Sequence, residues 1–189
     1  AALNYGQDLI SNTDGVVAGM LHAAYTQGEF GDSLSRRHPA HRERVRTVTG
    51  RAAEELIYSY DDTPWPPPED VKRKWLQKDV SAISLTMRRV LALKAVNELD
   101  DLKDFAPLYV GDTKRQSVEK GAHFAVIVAD TLGLLRLREA HLVSLKSLDD
   151  VDIPQKLCST RNGAYVVNSV RLREQILRAV RGAIRKTNP

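Results

Sequence analysis

The chain has 189 residues, of which 42% are hydrophobic and 28% charged, and its formal net charge is +4. This composition is typical of one soluble globular domain with a sizeable core. It excludes a membrane span of about 20 apolar residues, since Asp130 interrupts the longest candidate run. We find no secretory signal, and the lone Cys158 favours a reducing, cytoplasmic location.

The first predicted helix covers Asp14–Tyr25, where apolar residues form one broad stripe. Asn12 or Thr13 is the expected N-cap, and Gly28 is expected to end the helix.

A second helix is expected over His41–Tyr60, with Gly50 as a weak point that would divide it into two. Its predicted inward positions are Val45, Val48, Ala52, Leu56 and Ile57.

The segment Asp61–Asp70 contains four prolines in ten residues and cannot propagate a helix. We interpret it as a surface crossover within one domain, because the helical pattern is similar on both sides. Helices are expected to resume at Val71–Gln77 and Val80–Asp101. In the second of these, neighbouring stripes are traced by Ile83, Met87, Val90, Leu91, Lys94 and Glu98.

Further helices complete the predicted all-α bundle. After a loop at Phe105–Asp112, one helix is expected to run from Asp112 or Thr113 to about Ala140. Leu142–Gly163 has a weaker pattern, and Val167–Lys186 is an amphipathic C-terminal helix with an arginine-rich face. The sequence therefore predicts a single domain over residues 1–189, with a core at about 14–140 and a helical extension at about 141–189.

Familiar enzyme motifs are missing from the sequence. It contains no Gly-rich phosphate loop, no paired-cysteine zinc spacing and no GxSxG motif. Any chemistry must therefore come from His, Asp and Glu side chains scattered over helices.

Two segments resemble the HD superfamily of divalent-metal phosphohydrolases. AGMLHA, Ala18–Ala23, is similar to the family's small-apolar-Leu-His-Asp segment, with His22 as the histidine. HFAVIVADTLGLLRL, His123–Leu137, resembles the family's last helix, with Asp130 as its aspartate. The resemblance covers about Val16–Glu139 and implies an HD-like helical bundle. Its implied metal ligands are His22 and Asp130, around Mn, Fe, Mg or Zn.

The departures from this pattern concern the metal ligands. Ala23 stands where the family has the Asp of its His-Asp doublet, and alanine offers no ligand. Thr26 and Gln27 replace the acidic pair of the branch that hydrolyses guanosine alarmones. The family's upstream histidine has no counterpart in residues 1–21, so it is either absent or carried by a preceding helix.

A narrower resemblance involves LHAAYTQGEFG, GRAAEELIYSY and NELDDLKDF, the last at Asn97–Phe105. Together they are similar to an uncharacterised HD-like group with a degenerate His-Asp motif and no assigned activity. This resemblance implies the helical scaffold and leaves the chemistry open.

Each candidate residue has an alternative interpretation. His22 is either a metal ligand or, as we favour, a hydrogen-bonded core histidine. Asp130 lies on or beside a buried stripe and would need a partner, for which an arginine or His22 is favoured over a metal. Glu29 is a speculative replacement ligand in the same cavity.

Two charged segments are further candidates. Ser35–Arg46 contains five arginines and two histidines, and Arg36, Arg37 and Arg42 are candidate contacts for phosphate or an acidic partner. A solvated surface is the favoured alternative. The acidic group at the end of the fourth predicted helix, where Glu98 and Asp101 share a face, would suit Mg²⁺ or Mn²⁺, but a solvated helix end is favoured.

The preferred functional hypothesis is a non-hydrolytic HD-like domain with a ligand-binding, regulatory or interaction role. Its partner would be a small phosphorylated ligand or a protein, with no membrane involved. The alternative is an enzyme, a metal-dependent phosphohydrolase acting on a nucleotide or phosphoester with altered ligands. Nucleic-acid binding through the arginine-rich segments ranks third, because those segments lack interleaved aromatic residues.

Overall fold

Helices form every regular element of the described residues, so the prediction of an all-α fold is confirmed. The computed structural model describes residues 5–28, 30, 34–66, 83–104 and 112–151, with the backbone alone at 112–115 and 149. The helices are α1 Gln7–Ile10, α2 Thr13–Leu21, α3 Ala24–Gln27, α4 Pro39–Thr49, α5 Arg51–Asp62, α6 Leu85–Lys103, α7 Asp112–Thr131 and α8 Leu135–Ser147, followed by a 3-10 turn at Leu148–Asp150.

Local sequence signals account for several helix ends. The Asn12 side chain accepts a hydrogen bond from the Gly15 backbone N–H at 2.9 Å, which confirms the predicted N-cap of α2. Gly50 has φ of +82° and separates α4 from α5, as expected for a residue that tolerates the left-handed region.

The long helix α6 occupies the centre of the fold. It packs against α1, α2, α5, α7 and α8. Its apolar residues, including Val90 and Leu99, join one cluster with Ile57 of α5, Phe124 of α7 and Leu137 of α8. Because several neighbouring helices cover α6, some of its polar side chains also lie next to the core.

Four local predictions are wrong. The single helix expected over Asp14–Tyr25 is two helices, α2 and α3, with a turn at His22 and Ala23 between them. The single helix expected from residue 112 to about Ala140 is two helices, because Gly133 adopts φ of +70° and ends α7. Helix α8 continues to Ser147, through the start of the region assigned a weaker pattern. Val48 and Ala52 do not face inward: Val48 is 82% exposed, and Ala52 is also exposed. The turn at Gly50 interrupts the continuous helix on which both predictions rest.

Some predictions fall outside the described residues. These are the helix at 71–77, most of the loop at 105–112 and the C-terminal helix at 167–186. The limit proposed near residue 141 between core and extension lies inside α8. The single domain and the HD-like arrangement remain predictions.

Candidate functional site

His22 lies in the turn between α2 and α3. Its Nδ1 is 2.8 Å from the carbonyl oxygen of Gly19, and its ring centroid is 5.0 Å from that of Tyr60. A carbonyl can only accept, so Nδ1 is the donor in this contact. His22 is thus a half-buried, hydrogen-bonded histidine, and its role as a metal ligand remains a prediction.

Asp130 is located on the surface of α7, so the expectation of a buried carboxylate is wrong, whereas the favoured arginine partner is confirmed. The side chain is 65% exposed and pairs with Arg138 Nε of α8 at 3.2 Å. The apolar neighbours Val128 and Ala129 take the inward positions of this helical turn. Within the described part of the chain, no group of three or more His, Cys, Asp or Glu side chains is arranged to hold a metal.

The arginine candidates have different surroundings. Arg37 pairs with Asp62 at 2.7 Å and with Asp61 at 3.5 Å. Arg42 binds a buried carboxylate, whereas Arg36 is exposed. Phosphate contact stays a prediction for all three, and Arg37 and Arg42 would have to exchange an existing carboxylate partner. Glu29 lies outside the described residues.

A buried carboxylate, Glu54 of α5, organises the first polar cluster of the interior. Its side chain is fully buried. Arg42 donates to both carboxylate oxygens at 2.6 and 2.9 Å, Arg46 donates at 3.2 Å, and the Tyr25 hydroxyl donates at 2.8 Å. These four residues are called the Glu54 cluster below.

The carboxylate of the Glu54 cluster is well supplied with donors. Burial acts to raise the pKa of Glu54, but the hydrogen bonds from Arg42, Tyr25 and Arg46 outweigh it and hold the pKa below its usual value. Burial also raises the pKa of Tyr25, as does its hydrogen bond to Glu54. The cluster therefore keeps its charges fixed around neutral pH, as expected of a structural network.

A second polar cluster surrounds Lys94 in the middle of α6. Lys94 is only 7% exposed, and its Nζ lies 3.8 Å from the centroid of the Tyr60 ring. Glu98 follows one helical turn later on the same face. A Cβ placed on Gly121 of α7 would lie 2.8 Å from Glu98 Oε2 and 3.4 Å from Trp65 Nε1, so the absence of a side chain at Gly121 makes room for both groups. Tyr60, Trp65, Lys94 and Glu98 are called the Lys94 cluster below.

The charges of the Lys94 cluster are poorly compensated. Burial lowers the pKa of Lys94 to about 8, against the opposing attraction of Glu98 and Asp61. Burial and the negative charge of Asp101 raise the pKa of Glu98 to about 7. Burial, Glu98 and Asp101 also raise the pKa of Tyr60. Lys94 and Glu98 consequently titrate close to neutral pH, where perturbed groups suit acid-base chemistry.

Trp65 connects the Lys94 cluster to an apolar pocket. Within the described residues, its buried Nε1 has no hydrogen-bond partner at standard distance and angle. It nevertheless lies close enough to Glu98 to act against burial, which raises the pKa of that carboxyl. Its ring centroid is 5.0 Å from that of Phe124. Phe124 lines a small, partly open apolar pocket, together with Ile83, Leu91, Ile127, Val128, Thr131 and Leu132.

The sequence singles out Arg42 and Glu98 for other roles and does not identify the two clusters, although one signal is present. Lys94 and Glu98 lie in predicted stripes with Val90 and Leu91, and a charged residue on a buried stripe is unusual. The solvated position favoured for Glu98 is wrong, since this side chain is partly buried. Glu54 lies three positions before the inward Ile57, which is the same kind of signal. The partners of these groups come from other helices, so periodicity alone could not identify them.

Comparisons with known proteins add one family match. Residues 7–64 match a family described as a domain of unknown function, DUF6817. No curated protein and no solved structure matches the chain. Among the helices described, none is both long and apolar enough to cross a membrane. The matched segment contains the whole Glu54 cluster and ends before Trp65, Lys94 and Glu98, so a similarity to this family over α1–α5 is what the comparisons establish.

Proposed function

We propose that this chain is a non-hydrolytic HD-like helical domain with a ligand-binding or regulatory role. The observation that carries the proposal is the position of Asp130, whose carboxylate is 65% exposed and paired with Arg138. A catalytic metal requires several ligands converging on one enclosed point. The two residues that resemble HD ligands instead have separate partners.

The residues around His22 support the same proposal. Ala23, Thr26 and Gln27 occupy the positions where the resemblance would require acidic groups. The His22 ring packs against Tyr60, which in turn covers the amine of Lys94. The polar interior next to His22 is therefore built around an amine, which repels a cation when protonated.

A binding role is supported by the pocket beside the Lys94 cluster. Phe124 lines this pocket and its ring packs against that of Trp65, which lies beside the ionisable carboxyl of Glu98, so apolar surface and an ionisable group lie close together. Such a combination is typical of small-molecule sites, where a few polar groups orient a ligand in an apolar cavity.

Metal content and phosphoester hydrolysis test the proposal together. The purified protein would be incubated with Mn²⁺, Fe²⁺, Mg²⁺ or Zn²⁺ and a panel of nucleotides and phosphodiesters, beside His22→Ala and Asp130→Asn. We expect no stoichiometric bound metal and no product formation that depends on His22. Stoichiometric metal that is lost in both variants, with metal-dependent turnover, would establish the phosphohydrolase alternative instead.

A further inference from the structure

The amine of Lys94 occupies an unusual position for a lysine. Its side chain starts from the central helix α6, is 7% exposed and ends against the face of the Tyr60 ring. Lysines are rarely buried, because removing an ammonium group from water is costly. The charged groups that act on Lys94 are Glu98, on the same helix, and Asp61 of α5.

Burial favours the uncharged form of this amine near neutral pH. The pKa of Lys94 falls to about 8, so at pH 7.5 roughly a quarter of the molecules hold it as the free base. An ordinary lysine holds about one molecule in a thousand in that form. Only the free amine is a nucleophile, and a desolvated lysine is the usual source of Schiff-base chemistry in proteins.

Glu98 supplies a second group whose pKa lies near neutral pH. Its carboxyl lies one helical turn from Lys94, and burial with the nearby charge of Asp101 raises its pKa to about 7. A large share of the carboxyl groups is therefore protonated near neutral pH. A proton donor whose pKa is close to the working pH is efficient in general acid catalysis.

We propose that Lys94 is a carbonyl-capturing nucleophile that binds small aldehydes or α-keto acids as a Schiff base, with Glu98 as the proton donor. The geometry that points to this is the buried amine on the Tyr60 face and the carboxyl one turn away in the space left by Gly121. Trp65, beside that carboxyl, packs against Phe124 of the apolar pocket. The inference gives a ligand class to the binding role proposed above and rests on that role.

The chemistry requires no other reactant. The Nζ lone pair adds to the carbonyl carbon, the C=O π electrons move to oxygen, and a proton moves from nitrogen to oxygen to give a carbinolamine. Glu98 then protonates the hydroxyl, which leaves as water while the C=N bond forms. The resulting Glu98 carboxylate faces a protonated Schiff base, whose positive charge it stabilises. Addition of water reverses the sequence.

Reductive trapping of the folded protein tests the proposal. Glyoxylate with sodium cyanoborohydride converts a Schiff base into a stable carboxymethyl-lysine, which peptide mass spectrometry locates. Lys103 is a matched internal control, since it lies on the same helix with its Nζ 4.7 Å from the Tyr5 ring but is exposed. At pH 7.5 we expect Lys94 to be modified at least about tenfold faster than Lys103. Equal or slower modification of Lys94 overturns the proposal.

The Glu98→Gln variant separates proton donation from simple electrostatics. Removal of the negative charge increases the fraction of free Lys94 amine, so a purely electrostatic role predicts faster trapping. Loss of the proton donor predicts at least about tenfold slower trapping. Faster trapping in Glu98→Gln would refute the assigned role of Glu98, and Lys94→Met must abolish the Lys94 adduct while leaving the modification of Lys103 unchanged. Metal content is measured separately, so failure of this inference and failure of the non-hydrolytic proposal are distinguishable.

Discussion

Glu54 of α5 and Glu98 of α6 are two interior carboxylates with opposite surroundings. Glu54 receives hydrogen bonds from two arginines and a tyrosine, and its pKa is lowered. Glu98 has a lysine on its own helix and acidic Asp101 nearby, and its pKa is raised to about 7. Burial acts in the same direction on both, so the number of donors decides the charge state. The difference teaches that hydrogen-bond donors keep the first carboxyl charged, whereas the second carboxyl, with few donors, titrates near neutral pH.

Glu54→Ala is expected to have the largest effect, because it removes the shared partner of Arg42, Arg46 and Tyr25. Breaking a buried charge network by deleting one partner costs about 3–5 kcal/mol. Urea unfolding measures the free energy of unfolding, and Glu55→Ala on the exposed face of the same helix is the control, with a change within about 0.5 kcal/mol. An equal effect of the two substitutions would contradict the structural role of the Glu54 cluster.

Glu98 is expected to make stability fall with rising pH, in contrast to Glu54. The folded protein holds a proton on Glu98 up to about pH 7, whereas the unfolded chain releases it near pH 4.5. The stabilisation is therefore present below pH 4.5 and lost as pH rises through 7, by roughly 3 kcal/mol at most.

The measurement is the free energy of unfolding between pH 4 and pH 8 for the wild type and for Glu98→Gln. Other groups contribute to both proteins, including His141, whose pKa burial lowers to about 4. The difference between the two curves isolates Glu98. Parallel curves would show that its proton affinity does not change on folding.

Tyr25→Phe sharpens the comparison by removing one of the donors to Glu54. The two arginines remain, so the loss is expected to be about 1–1.5 kcal/mol in the free energy of unfolding. A double-mutant cycle with Glu54→Gln checks that the loss arises from this contact. A coupling energy near zero would assign it to packing around the ring.

Gly121→Ala is expected to have the smallest net effect on stability. The new methyl group would displace the Glu98 carboxyl, which lies at the end of a flexible side chain, and the gain in helix propensity offsets part of this cost. We expect a change within about 1 kcal/mol, together with altered Trp65 fluorescence and slower trapping at Lys94. Unchanged fluorescence and trapping would show that Gly121 does not shape the Lys94 cluster.

The sequence by itself determined the helical class and several of the helix ends. Apolar periodicity predicted the helices, and Asn12 and Gly50 could be assigned because caps and left-handed residues act over a single helical turn. The same periodicity placed Lys94 and Glu98 on inward stripes of α6. It did not locate the break at Gly133, since the leucine-rich pattern continues across it.

Only the tertiary structure decided which charged groups became partners. Tyr25 and Arg42 reach Glu54 across 29 and 12 positions of sequence, which is beyond the range of helical periodicity. Asp130 turned out to face solvent beside Arg138, although an apolar run surrounds it. The environment of a charge depends on the helices that pack around it, and those neighbours also set whether an interior carboxyl is held as an anion or kept as an acid.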